Sequence, residues 1–264
     1  MTSALKYEVA RLRTLRSTWW LLGISLVLSA AIAVTLAFVA QDNDLGVAGQ
    51  VSALTTGSGF TFPMPAIMAG LVGVFSFGHE YRYGTIRAAL SAVPSRTSLL
   101  VAKVVVTAAW AAVMAALDLG VAYLAVRLVP DQDLFEEGFP WDPVGRVMLG
   151  FVLLLMLWSL CGLALAGILR NLPAAMVVLL VFPLIGEVIL STILGLVSAF
   201  DGIAWWMKFL PFGAGQAMIQ IPTFFGGAPP GFYVATPLQG GITFAVFTAA
   251  LLVLTGVLFH RRDA

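Results

Sequence analysis

The chain has 264 residues, 60% hydrophobic and 10% charged, with a mean hydropathy of +0.99 and a net charge of +1. That composition excludes an ordinary water-soluble domain and leaves one bundle of membrane-crossing helices over 1–264, with little chain to spare for anything else. The net charge favours no class of partner, but its distribution fits an anionic membrane leaflet better than nucleic acid. The single cysteine, Cys161, excludes an intramolecular disulfide and a cysteine-rich metal site.

In chain order, residues 4–18 read as an amphipathic helix at the membrane surface. Leu5, Val9, Leu12, Leu15 and Trp19 recur at three- and four-residue steps, with Lys6, Arg13 and Ser17 on another face. A first crossing over 19–40 is too long for a signal-peptide core and has a poor cleavage pattern, so it reads as a retained anchor. Residues 41–60 read as a short polar outer loop. A second crossing over 62–77 opens on Pro63 and Pro65, which helix starts tolerate.

A polar segment over 79–98 separates it from a third crossing at 99–126. That crossing carries Ala108, Ala112, Ala116 and Gly120 at four-residue steps, a stripe that admits another helix closely. An acidic outer loop leads to a fourth crossing over 143–169. Arg170-Asn171-Leu172-Pro173 then make a tight turn into a fifth over 174–197. Residues 199–238 are apolar but broken by five prolines and a Gly226-Gly227 pair. Such backbone must shelter against protein or sit at the outer interface, so short re-entrant helices are expected there, anchored by Trp205 and Trp206. A sixth crossing spans 242–259.

Charge sets the orientation. Of the 14 Lys and Arg residues, 11 fall on one side of this arrangement, leaving Arg127, Arg146 and Lys208 for the other. The opposite loops hold Asp42, Asp44, Asp131, Asp133, Glu136, Glu137, Asp142 and Asp201. The bias of cations toward cytoplasmic loops puts both termini inside. Arginine far outnumbers lysine and alanine is abundant, as in a GC-rich bacterial genome, so a bacterial cytoplasmic membrane is the expected location.

Chemistry-bearing motifs are sparse. The three lysines, Lys6, Lys103 and Lys208, have no phosphate-loop context, and His79 and His260 form no metal-ligand pair. No nucleophile-elbow pattern is present, so no catalytic residue is assigned. Asp118 and Glu187 are ionisable groups inside crossings. Each costs about 2.5–3.5 kcal/mol at the centre of an isolated helix, so each must face protein or water. They are candidates for a translocation path or gate. Asp118 reads more readily as a group bound to a polar neighbour.

The stretch Gly78-His79-Glu80-Tyr81-Arg82-Tyr83-Gly84-Thr85-Ile86-Arg87 is the informative one. Gly84 breaks the helix extending from the second crossing, Thr85 suits an N-cap for a short helix to about Ser91, and Pro94 stops that helix from joining the third crossing. Charged residues Glu80, Arg82, Arg87 and Arg96 rim it. A topological connection could be much shorter, so this segment is expected to meet a cytoplasmic partner.

Glu80, Gly84-Thr85, Pro94-Ser95-Arg96 and Lys103, with the cationic amphipathic start and the Arg261-Arg262-Asp263 ending, give the chain its likeness to a known family. It resembles the permease subunits of type-2 ATP-binding-cassette (ABC) exporters. The resemblance covers the organisation of the whole chain but only about 25 residues of motif. It implies an all-α fold of six transmembrane helices, an interfacial helix, outer re-entrant helices, and a coupling helix between spans two and three. Glu80, Arg82, Gly84, Thr85, Arg87, Pro94 and Arg96 would then serve docking on separate ABC ATPase subunits. Those subunits would hold the ATP and magnesium, with no cofactor in this chain. A second permease copy or a related chain would complete the path, with membrane lipids around it. A lipid, lipid-linked or hydrophobic drug-like substrate suits an apolar route. Two other readings stand beside it: an ion-coupled secondary transporter using Asp118 and Glu187, and a membrane-embedded enzyme or scaffold.

Overall fold

The computed structural model describes residues 2–42, 46–55, 64–93, 95–129, 141–200, 202–220 and 232–261. These described residues contain eleven α-helices and no strand. The helices are α1 (Thr2–Thr14), α2 (Arg16–Asp42), α3 (Gly46–Thr55), α4 (Met64–Arg82), α5 (Ile86–Ala92) and α6 (Arg96–Val126). After these come α7 (Arg146–Leu169), α8 (Leu172–Val181), α9 (Glu187–Leu196), α10 (Pro211–Gln216) and α11 (Pro237–Arg261).

Among the described residues, five helical stretches are long and apolar enough to cross a membrane: Arg16–Val39, Arg96–Val126, Arg146–Leu169, Leu172–Leu196 and Pro237–Arg261. The chain therefore has the build of a multi-pass membrane protein. Helix α4, the expected second crossing, is not among them, because its final turn carries His79, Glu80 and Arg82. It is nonetheless the helix most enclosed by its neighbours. Ala66, Ala69, Val74 and Phe77 are all fully buried.

The reason is a glycine seam. No Cβ fits at Gly73 against the Ser159 carbonyl of α7, nor at Gly162 of α7 against the Gly70 carbonyl of α4. The two backbones touch, which is how helices associate where lipid supplies no hydrophobic drive. Gly70 beside Trp158 and Phe77 beside Gly167 show that α4 and α7 run in the same direction. Helix α11 joins that direction, since the Thr255 hydroxyl donates to the Ala164 carbonyl of α7 at 3.0 Å. Helices α2 and α6 run the opposite way, together. Trp19 meets Trp110 edge-on at 5.5 Å, and Ala33 and Ala37 pack on Ala122, Ala125 and Val126.

One end of the bundle thus collects α1, the starts of α2, α6 and α8, and the ends of α4, α7 and α11. The short α5 hangs there between α4 and α6. Arg170, in left-handed conformation at φ 51°, and Asn171, whose side chain accepts from Ala174 N at 3.0 Å, make the expected tight turn between α7 and α8.

Four expectations need correction. The polar loop expected over 41–60 contains α3, whose Val51, Ala53, Leu54 and Thr55 are buried; alternation of small and apolar residues lets it pack rather than stay in solvent. The surface helix expected over 4–18 breaks at Leu15, and its buried face is Ala4, Glu8 and Leu12, leaving Val9 and Trp19 exposed. Among the described residues no helix packs on the outer part of the small-residue stripe of α6: Ala116 and Gly120 are exposed, with open space beside Gly120. Thr85 stands at the N-cap of α5 but makes no side-chain cap bond.

The described part of the broken 199–238 region holds 3-10 turns at Ala204–Phe209 and Ala217–Ile219 around α10, while residues 232–236 lead into α11 without regular structure. Phe212 of α10 is 4.9 Å from the Trp158 ring, midway along α7, and 5.2 Å from Phe244. Its backbone is sheltered by protein at depth, as membrane physics requires. A π-turn over Phe182–Gly186 interrupts the stretch Leu172–Leu196 at Pro183, which removes one ladder hydrogen bond and separates α8 from α9.

Candidate functional site

Three helices meet at the end that holds α5, and four charged side chains lock them. Lys103, about two turns into α6, is fully buried and places Nζ 2.7 Å from Glu8 Oε1 and 2.6 Å from Glu80 Oε1. It also donates to the Ser76 carbonyl at 3.2 Å. Arg11, one turn beyond Glu8 on α1, donates through Nε to Glu8 Oε2 at 2.8 Å. Its other nitrogens reach the Ser76 hydroxyl at 3.0 Å and the Phe75 carbonyl at 3.3 Å.

Two carboxylates and two cations balance, so the cluster carries no net charge into a dry interface. That balance is what makes burial tolerable, since a lone ion there would cost several kcal/mol. Lys103 also lies 5.0 Å from the face of Phe77. The second oxygen of Glu80, Oε2, is buried without a hydrogen-bond partner among the described residues. The clasp joins α1, α4 and α6, and its Glu80 lies six residues before the start of α5. Its field reaches the neighbouring phenol of Tyr7 on α1: burial first, then the Glu80 and Glu8 carboxylates, push that group above its ordinary value.

Beyond the clasp the chain turns. Gly84 takes φ 66°, a left-handed conformation that glycine adopts without strain, and α5 starts two residues later. Ile86, Ala89 and Val93 bury one face of α5, while Arg87, Ala88, Ser91 and Ala92 stay exposed on the other. Ser95 caps α6, accepting from Ser98 N at 3.3 Å. Arg82 is exposed with its guanidinium 5.6 Å from the Tyr83 ring, and Arg170 lies 5.4 Å from Tyr81. Tyr81, Arg82, Arg170, Asn171, Leu172 and Pro173 line a hollow of about 350 Å³ beside α5.

The residues expected to serve docking therefore separate into two sets. Arg82, Gly84, Thr85 and Arg87 are exposed around α5. Glu80 turns inward at 2% exposure, and Arg96 is half-buried, donating to the Phe259 and His260 carbonyls at 2.9 and 3.3 Å. It ties α6 to the end of α11. Pro94 lies outside the described residues. Glu8 and Arg11 are the members that sequence reasoning does not single out. Their signal is Lys103: an ammonium that far inside an apolar helix demands carboxylates, and Glu8 is the only acid on α1.

The two intramembrane acids are not brought together. Asp118 lies between α6 and α2, with Ser25 Oγ at 2.9 Å from Oδ2 and Ser29 Oγ donating to Oδ1 at 2.9 Å. Glu187, freed by the π-turn, accepts from Phe212 N at 3.0 Å and Gly213 N at 2.7 Å, at the start of α10. Each carboxylate is satisfied by donors of this chain. Among the described residues no cluster of three or more His, Cys, Asp or Glu side chains is placed to hold a metal ion. No protein-family model matches the chain, and no curated protein matches it with significance.

Proposed function

We propose that this chain is the membrane permease subunit of an ATP-driven ABC exporter, coupled to separate ATPase subunits through α5. The observation that carries the reading is the placement of α5. It is a short helix with an exposed, cationic outer face, held by a rigid corner at Gly84 and backed by the buried Glu8–Arg11–Glu80–Lys103 clasp. A displacement applied to such a helix passes to α4 and α6 together, and through Glu8 to α1. A flexible connection would absorb it instead. The hollow beside Arg82 and Arg170 offers a cationic seat for an acidic edge of the motor.

Six crossings follow if α4 is counted. Its 19 residues rise about 28 Å at 1.5 Å each, close to a hydrocarbon core of roughly 30 Å, and it runs beside the crossing helix α7 through the glycine seam. An even count places both termini on the side richer in cations, the cytoplasm of a bacterial cell membrane. Two such permeases, identical or related, would line the path for a lipid, lipid-linked or hydrophobic drug-like molecule.

The test is co-purification of the ATPase partner with Arg87→Glu and Arg82→Glu. Both side chains are exposed and outside the clasp, so insertion and folding should be unchanged. Loss of the ATPase from both variants, at unaltered permease yield, is the expected result. Normal association and normal ATP-dependent transport in both would remove the docking assignment.

A further inference from the structure

A groove lies between α6 and α11 and is lined by no member of the clasp and no residue of α5. It is an open groove of about 690 Å³, lined by Leu100, Val101, Val104, Leu252, Val253 and Val257, with Gly256 at its floor. Thr97, His260 and Arg261 form its mouth at the end of the bundle that carries α5. Among the described residues no carboxylate lines it.

We infer that this groove is a seat for an anionic phospholipid of the inner leaflet, its phosphate held at the mouth and one acyl chain lying along the apolar floor. The inference depends on the chain lying in a bilayer with this end inward, and not on the ATPase partnership. Its polarity runs the right way: three polar side chains at the membrane surface, then only hydrocarbon below. From Thr97 to Val104 the wall descends about 10 Å, a third of a hydrocarbon core of roughly 30 Å.

Charge complementarity selects an anionic headgroup. The end of α11 would by itself repel an anion, because its last carbonyls carry partial negative charge. Arg96 removes that obstacle by donating to the Phe259 and His260 carbonyls. His260 donates through Nδ1 to the Gly256 carbonyl at 2.8 Å and meets the Thr97 hydroxyl through Nε2 at 3.1 Å, which fixes the rim. Arg261 stands exposed at that rim as the cation for the phosphate. Gly256 keeps the floor open, since a Cβ there already touches Leu100 at 3.4 Å. A second copy of the chain is the weaker occupant, because two-fold pairing of parallel copies through this face would bring both cationic mouths to the same end of one interface.

The experiment uses the full chain in vesicles containing a phosphatidylglycerol with a photoreactive group midway along one acyl chain, compared with the phosphatidylcholine analogue. Labelling should concentrate on Val101, Val104, Leu252 and Val253, with phosphatidylglycerol favoured. Gly256→Leu and Val253→Trp fill the groove and should abolish labelling at these positions for both lipids. Val253 is 67% exposed, so the second variant tests the seat without disturbing packing. Arg261→Gln should keep the site but lose about fivefold in headgroup preference, the weight of one cation at an anionic surface. Equal labelling in the filled variants, no headgroup preference in the parent chain, or cross-links between two copies through this face would each overturn the inference.

Discussion

Lys103 shows how one residue can organise the end of a bundle. Its ammonium is fully buried and touches two carboxylates from two other helices, so each of the three groups depends on the others for its charge. Lys103→Met should destabilise the protein by about 3–5 kcal/mol, because Glu8 and Glu80 would be left buried against each other. Adding Glu80→Gln, which leaves the Glu8–Arg11 pair intact, should restore most of that loss while weakening the proposed coupling between ATP hydrolysis and transport. Thermal unfolding in a mild detergent reads the first effect and reconstituted transport the second. A single Lys103→Met variant as stable as the parent would refute the clasp. Asp118 makes the contrasting case. Its two serine donors explain its burial without any proton traffic, so Asp118→Asn should stay within about 1 kcal/mol in stability and keep full transport. Loss of transport with intact folding would revive the ion-coupled reading.

Among the elements, the α4–α7 pair carries the most weight. Gly73 and Gly162 allow backbone contact, and a side chain at either must drive the helices apart. Gly73→Leu should cost more than the roughly 1–3 kcal/mol usual for overpacking, since the obstacle is the Ser159 carbonyl rather than a mobile side chain. Hydrogen exchange should show α4 and α7 opening together in that variant; an unchanged exchange pattern would contradict the seam. Much at this scale is legible in sequence. The apolar stretches, the turn at Arg170–Asn171, the corner at Gly84 and the short helix after it follow from hydropathy, caps and breakers, which are local signals. What is not legible depends on which helix faces which. The four-residue stripe on α6 has the pattern of a close-packing surface, yet the tighter seam lies on α4 and α7, whose glycines are irregularly spaced. Apolar periodicity alone misplaces the buried face of α1 and misses Glu8. That residue occupies a buried position only because Lys103 waits there, and no spacing rule reaches across that distance. The π-turn at Pro183 and its delivery of Glu187 to α10 are hidden for the same reason.

For the molecule as a whole, the proposed partnership with an ATPase would make this arrangement a lever. Helices crossing the apolar core converge on an end where an ionic lock fixes α1, α4 and α6 as one body, with α5 projecting from it. Midway along the bundle, the half-helix α10 packs on Trp158 of α7 and is tied through Glu187 to the stretch Leu172–Leu196. The most direct measurement is a photo-cross-linker placed at Ala88, exposed on α5, in living cells. The account predicts a cross-link to a nucleotide-binding subunit whose yield changes between ATP-bound and nucleotide-free conditions. Absence of any such adduct, or labelling of Ala88 by an impermeant reagent added outside the cell, would contradict it.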